Sequence, residues 1–363
     1  MTLFLNNDHI AQVLDMGMAI DVLEDAYRDY GKGSATCVPR VDVQIPTGSS
    51  GKTYQFGTTI GGSTDKYLAM RIKSDVMFEE ESDGLRRKGK YCVEPGLYCG
   101  LVFLFSVENG EPLAILNDGL LQKARVGADS AIGVKYMARE DSSVLGMLGS
   151  GGMARMHLDA FIKVRPIRKM KVYSPTPENR KAFANEAEKK YGIEAIAVND
   201  PNEIYSGADI VAACTNVIGP VVQGKCLEQG THVISIGGTL DQAASSRIDV
   251  SLRFGNAPAP QERPDFVVTE ECLTYVAESA GKVSYGGTKK FSNIPPDKQV
   301  SLKDLMKNPS LGRTSFEQIT FSERGNLHGL QFYSVAGKAY ERALNKGLGT
   351  RIPTDQFLQT IRN

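Results

Sequence analysis

Val144-Leu-Gly-Met-Leu-Gly149-Ser-Gly151-Gly152-Met153-Ala154 decides the fold. A short apolar run, residues 144–148, enters a glycine-rich turn and leaves it as a helical pattern over 153–164. The spacing Gly149-x-Gly151-x-x-Ala154 matches the G-x-G-x-x-A loop of dinucleotide-binding βαβ units. The strand before it and the helix after it are the context that loop needs. Gly149 permits the tight turn, Gly151 lets a pyrophosphate approach the backbone, and Ala154 lets the helix pack close to the strand. Gly152 and Met153 open the helix, whose free N–H groups and positive dipole end face the phosphates. A glycine-rich turn without a ligand would leave that strand–turn–helix order unexplained.

The same rhythm continues C-terminally. Residues 170–173, 195–198, 210–214 and 232–236 read as short apolar strands, and 177–191 as a helix. Strands alternating with helices predict a doubly wound parallel sheet of the Rossmann type. At the tip of its second strand, Tyr173-Ser174-Pro-Thr176 carries no acid for a ribose 2′-hydroxyl. The hydroxyls of Ser174 and Thr176, with Arg180 following, suit a 2′-phosphate, so NADP is favoured over NAD. Glu178 keeps NAD open, and Arg180 reads equally well as part of a solvated helix face. Thr215, Asn216 and Gly237 follow later strands, at the carboxyl edge where such sheets bind ligands.

N-terminal to this unit the pattern differs. Residues 39–45, 53–59, 67–74, 98–107 and 112–116 read as strands, the last two joined through an Asn109-Gly110 turn. They predict a mainly antiparallel sheet. Residues 77–96 are polar, charged and glycine-containing, and read as an exposed excursion or lid. Residues 120–139 form one long helical pattern bridging to the parallel sheet, and the chain turns helical again after about 315. The expected fold class is therefore α/β. A Rossmann domain over 123–315 is embraced by a second, discontinuous α+β domain of residues 1–122 and 316–363. A length of 363 residues suits two domains.

Composition excludes some partners. Lys+Arg and Asp+Glu are both 42, so the formal net charge is zero. That balance argues against nucleic acid or an anionic membrane surface as the main partner. Six cysteines occur without a CxxC pair, which suggests neither a zinc site nor a disulfide framework, and no metal is expected. The first residues lack a basic segment and a cleavage site, and no apolar run approaches the roughly 18 residues of a membrane helix. Reduced thiols in a cytoplasmic protein are the expectation.

Several stretches, taken in order, resemble the ornithine cyclodeaminase/mu-crystallin family over nearly the whole chain. They are Pro39-Arg40, Arg71-Ile-Lys73, Asn109-Gly-Glu-Pro-Leu-Ala-Ile-Leu116, Leu121-Gln-Lys-Ala-Arg125-Val-Gly-Ala128, the 144–154 fingerprint and Gly230-Thr-His-Val-Ile-Ser-Ile-Gly-Gly238. The resemblance implies a homodimer in which a substrate and dimerisation domain surrounds the Rossmann domain. It implies hydride transfer between NAD(P) and the C–N bond of a small amino acid or its imine. The outcome would be cyclodeamination with loss of ammonia, imine reduction or amino-acid dehydrogenation. The alternative it carries is a non-catalytic NADP- and small-ligand-binding protein of the mu-crystallin kind.

The resemblance also assigns residues. Arg40 and Arg125 match the family's carboxylate-binding arginines, whose guanidinium forks suit a carboxylate. The family's catalytic lysine falls at Arg71, with Lys73 two residues on along the same strand face. An arginine does not readily give up a proton, so Lys73 and Arg71 are both candidates with different roles. The acid expected after the Gly237-Gly238 pair is replaced by Thr239, and Asp241 follows two residues later. Asp241 is a candidate acid or the cap of a helix starting at Gln242. Gln55 is the nearest polar match to the family's side-chain-binding glutamate. His328, in a glycine-bounded loop, is a candidate to approach the nicotinamide.

Overall fold

The computed structural model describes residues 1–64, 66–82, 84–266, 268, 271–277, 283–287 and 294–361. The first segment comprises β1 (Thr2–Leu5), α1 (Asn7–Ala11), α2 (Met16–Lys32), β2 (Ala35–Cys37), β3 (Arg40–Pro46), β4 (Lys52–Ser63), β5 (Tyr67–Ser82), β6 (Leu85–Tyr91), β7 (Cys99–Ser106) and β8 (Pro112–Asn117). After α3 (Gly119–Met137) come β9 (Val144–Leu148), α4 (Gly152–Val164), β10 (Lys169–Tyr173), α5 (Pro177–Tyr191), β11 (Glu194–Ala197), β12 (Ile210–Ala213), β13 (Pro220–Val222), β14 (His232–Ser235), β15 (Thr239–Leu240), α6 (Gln242–Arg247) and β16 (Val250–Arg253). The remainder holds β17 (Cys272–Ala277), β18 (Val283–Gly287), β19 (Gln299–Ser301), α7 (Leu302–Lys307), β20 (Thr320–Glu323), α8 (His328–Asn345) and β21 (Thr350–Ile352).

Two large sheets result. One runs β18-β17-β3-β4-β5-β7-β8-β1-β21, with β2 on β4 and β6 on β5, and most of its pairs are antiparallel. The other runs β11-β10-β9-β12-β14-β20-β16-β19 and is parallel throughout its described pairs. Its β9 and β12 strands are apolar end to end, as strands covered on both faces tend to be, and Ile210–Ala213 is entirely buried. The long bridging helix is α3, which is largely buried and packs on α2, α4, α8 and β20.

The sheets divide the chain differently from the expected boundary at 315/316. β17 leaves the parallel sheet's segment to pair with β3 of the antiparallel sheet. β20, beyond 316, slots between β14 and β16 of the parallel sheet. Both are short strands whose membership depends on which edge is free to pair, which periodicity does not report. The 77–96 excursion also differs. β5 runs on to Ser82 and returns as β6, so most of it is a β-hairpin.

Candidate active site

The glycine loop has distinct work at each position. Gly149 has φ +113, and a Cβ there would run into the carbonyl oxygen of Cys214 at the end of the neighbouring strand. Only glycine fits that turn. At Gly151 a Cβ would meet nothing within 4 Å, so the space above the loop is open. Gly151 caps α4 with no side-chain hydrogen bond, which leaves the first N–H groups of the helix free. An open cradle over free helix N–H groups fits a dinucleotide pyrophosphate. Gly152 lies beside Lys123, whose Nζ would be 3.4 Å from a Cβ at that glycine. Ala154 is fully buried under the strand.

At the tip of β10, Ser150 Oγ donates to Ser174 Oγ (2.8 Å). Thr176 is exposed and caps α5 without a side-chain bond. Arg180 is not on a solvated face. It is buried, donating from Nη1 to the Ser174 carbonyl (2.8 Å) and from Nη2 to Asn199 Oδ1 (2.7 Å).

The antiparallel sheet supplies the opposite wall. Its inner face carries Asp42, Gln55, Thr59, Arg71, Lys73 and Asp75, all buried. Buried polar groups are costly without partners, so their concentration on one sheet face marks a site rather than a core. Asp42, Gly57 and Lys73 lie in one cross-strand row. A cavity of about 890 Å³ opens between this face and the loops after β12 and β14. Arg40, Asp42, Gln55, Lys73 and Glu271 line one side, and Thr215, Asn216, Gly237 and Thr239 the other. The β5–β6 hairpin closes a flank. Lys88 N donates to the Asn216 carbonyl (3.3 Å), and Ile218 N to the Arg86 carbonyl (2.9 Å).

Five of the residues expected at the site therefore meet at this cavity: Arg40, Lys73, Thr215, Asn216 and Gly237. Arg40 is already engaged, its Nε and Nη2 donating to the two oxygens of Asp42 at 2.9 and 2.7 Å. Gln55 Nε2 donates to the same carboxylate at 2.6 Å. Lys73 has no hydrogen-bond partner among the described residues. Burial, with Arg40 beside it, lowers its ammonium to about 8.

Other candidates stand elsewhere. Arg71 Nε donates to Asp118 at 2.6 Å and its guanidinium lies over the Phe332 ring, away from the cavity wall. Arg125 is buried behind that wall, donating to Gln122 and Gln331 over the same ring. Burial and the nearby Arg324 and Arg71 push it down to about 9, so it stays charged at neutral pH. Asp241 is drawn off by local bonding. Its Oδ1 accepts from Ala244 N (2.7 Å) and Gly224 N (3.0 Å), which makes it the cap of α6. His328 opens α8 with Nε2 3.8 Å from Glu271, and burial holds it well below its ordinary value.

Asp42, Glu271 and Arg324 went unread in the sequence. Asp42 had a signal, since it shares a strand face with Arg40 at a spacing of two. Glu271 had none. It stands just before β17, more than 200 residues from the strands it faces, 3.6 Å from Arg324.

Known proteins agree with this architecture. A model of the ornithine cyclodeaminase/mu-crystallin family matches residues 95–347. The chain is 30% identical over 267 residues to a Delta(1)-pyrroline-2-carboxylate reductase of Bacillus cereus, covering 70% of this chain and 74% of that one. It is 27% identical to the alanine dehydrogenase of Archaeoglobus fulgidus, covering 97% and 98%. The solved Delta(1)-pyrroline-2-carboxylate reductase of Thermococcus litoralis, in complex with NADH and L-proline, shares the fold with a TM-score of 0.72 at 24% identity over 97% of this chain and all of that one. With the family match spanning well over half its length, the chain belongs to the ornithine cyclodeaminase/mu-crystallin family.

Proposed function

We propose that this protein is a nicotinamide-dependent enzyme acting on the C–N bond of a small α-amino acid, as an imine reductase or amino-acid dehydrogenase. The observation that carries the reading is Lys73, a buried ammonium without a hydrogen-bond partner among the described residues, on the cavity wall facing the carboxyl ends of β12 and β14. A nicotinamide bound there supplies the hydride. Lys73 hands a proton to the substrate nitrogen in reduction, and its neutral amine takes one back in oxidation. A group with a pKa near the working pH suits both directions. Arg40 holds the α-carboxylate, with Asp42 and Gln55 orienting it, and Arg125, buried behind the wall, adds positive charge to that side without touching the substrate.

Asp241, tied up as a helix cap, and Arg71, tied to Asp118, have no proton-transfer role in this reading. The tip of β10 offers hydroxyls and no carboxylate, with Arg180 beneath it, which supports use of NADPH at least as readily as NADH. Loss of ammonia by cyclodeamination belongs to the same proposal only if a side-chain amine enters the cavity.

A homodimer is part of the proposal. The outer face of the antiparallel sheet exposes Val43 (37%) and Ile45 (45%) on β3 and, farther along, Leu68 (37%) on β5, apolar surface that a second copy would cover. No helix among the described residues is long and apolar enough to cross a membrane. The six free cysteines support a reducing, cytoplasmic setting. The deciding experiment is a panel of cyclic imines, keto acids with ammonia or methylamine, and diamino acids, run with NADH and NADPH. Turnover of at least one small imino or amino acid is expected. Tight dinucleotide binding with no turnover across the panel would leave the non-catalytic, ligand-binding alternative in its place.

A further inference from the structure

Asp75 lies two residues beyond Lys73 on β5, so both side chains project from the inner face of the sheet. Its side chain is wholly covered, and neither Oδ1 nor Oδ2 has a hydrogen-bond partner among the described residues. Lys90 of β6 brings its Nζ to 3.5 Å from Oδ2, and the Lys90 side chain is itself 45% exposed. Lys90 also lies over the Tyr98 ring, 5.0 Å from its centre. A buried carboxylate without donors is unfavourable and persists where surrounding charge compensates it. Asp75 does not line the cavity, so it cannot touch a substrate there.

We propose that Asp75 is a positioning residue: its carboxylate, set between Lys73 and the hairpin's Lys90, holds the Lys73 ammonium charged at the cavity wall. The hairpin is then more than a flank. It delivers the cation that makes a buried Asp75 tolerable. The groups around Lys73 are Arg40 and Asp42 from β3, uncharged Gln55 and Gly57 from β4, Arg71 with its Asp118 partner, Asp75, and Lys90 from β6. Gly100 faces it from β7. Glu271, Glu79 and Lys88 stand farther along the cavity. After burial, Arg40 and Lys90 act to remove the Lys73 proton, whereas Asp42 and Asp75 act to retain it. Tyr98 and Cys99 are the further titratable neighbours of Asp75.

The electrostatic pairing stands apart from catalysis, and only its kinetic consequence rests on the proposed role of Lys73. Titration of ligand-free protein labelled at the lysine ε-carbons, by NMR, reads Lys73 directly, its signal assigned by loss in Lys73→Arg. Asp75→Asn is expected to lower the Lys73 midpoint by about one pH unit, because an opposite charge is removed. Lys90→Met, at an exposed side chain, is expected to raise it, because a like charge is removed. Opposite shifts from two neutralising substitutions are not what structural damage would produce. An unmoved midpoint in Asp75→Asn, or a fall in Lys90→Met, overturns the inference. In kcat/KM the alkaline limb should follow the same two shifts. A limb that stays put while the NMR midpoints move supports the pairing and removes Lys73 from the proton step.

Discussion

Asp42 and Lys73 lean toward each other over Gly57, the residue that separates them in the sheet. A Cβ at Gly57 would lie 2.6 Å from Lys73 Cε and closer still to Asp42 Oδ1. The row works only because its middle member has no side chain.

Gly57→Ala should therefore push Lys73 or Asp42 out of place. Expected is a fall in kcat/KM of about 100-fold, typical of a small displacement of reacting groups. Stability should drop by about 1–3 kcal/mol from overpacking. Steady-state kinetics beside denaturant melts separate the two effects, and wild-type kinetics in the variant would show that the row is not part of the site.

The two loop glycines should separate folding from binding. Gly151→Val points a side chain into open space, so its Tm should stay close to wild type while dinucleotide affinity is lost. Gly149→Ala places a non-glycine residue at φ +113 against a carbonyl, and should cost about 1–3 kcal/mol of stability before any ligand is added. Thermal melts with calorimetric titration of the cofactor check both. Undiminished affinity in Gly151→Val would move the pyrophosphate site elsewhere.

Cofactor choice turns on Ser174. Ser174→Asp would set a carboxylate at the strand tip, able to accept from a ribose hydroxyl and repel a 2′-phosphate. NADH affinity should improve and NADPH affinity fall, each by about tenfold. A strong preference of the unaltered protein for NADH would contradict the reading of Ser174, Thr176 and Arg180.

Arg40 and Asp42 should behave as one unit. Arg40→Met leaves Asp42, 1% exposed, with Gln55 as its remaining partner. Removing one member of a buried pair costs about 3–5 kcal/mol. Adding Asp42→Asn should restore most of that stability without restoring substrate affinity. Equal stability of the single and double variants in urea would mean the pair is not coupled.

The pH profile follows from Lys73. Its folded value of about 8 sits below the ordinary lysine value, and the proton donor is present below it. In the reducing direction kcat/KM should be flat below about pH 8 and fall above it as the ammonium deprotonates. In the oxidising direction it should rise with pH and level off there. Lys73→Met should abolish both limbs along with most of the activity, whereas Arg71→Lys should leave the profile in place.

Much of the fold could be read without coordinates because its signals are local. The 144–154 loop needs glycine at a positive φ, an apolar strand before it and a small residue in the helix after it, all within eleven consecutive positions. Asn109-Gly110 marks its turn in the same way, with Gly110 at φ +76. The family resemblance pointed to Arg40, and strand alternation put Lys73 on the same face as the family's lysine position at Arg71.

Other features were decided by the tertiary structure, because they depend on what lies across the fold. Whether Asp241 is an acid or a cap depends on the backbone N–H groups of Ala244 and Gly224, the latter brought up from a separate turn. Whether Arg71 or Lys73 faces the cavity depends on Asp118, which follows β8 and draws Arg71 aside. Glu271 acquires its surroundings from strands distant in the chain, and Asp75 from how the adjoining hairpin strand folds back over it. By itself the sequence settled which residues can adopt each local conformation. Which charged side chains are paired, and which is left free at the cavity, was settled by long-range packing, since compensation of a buried charge depends on distance in space and not along the chain.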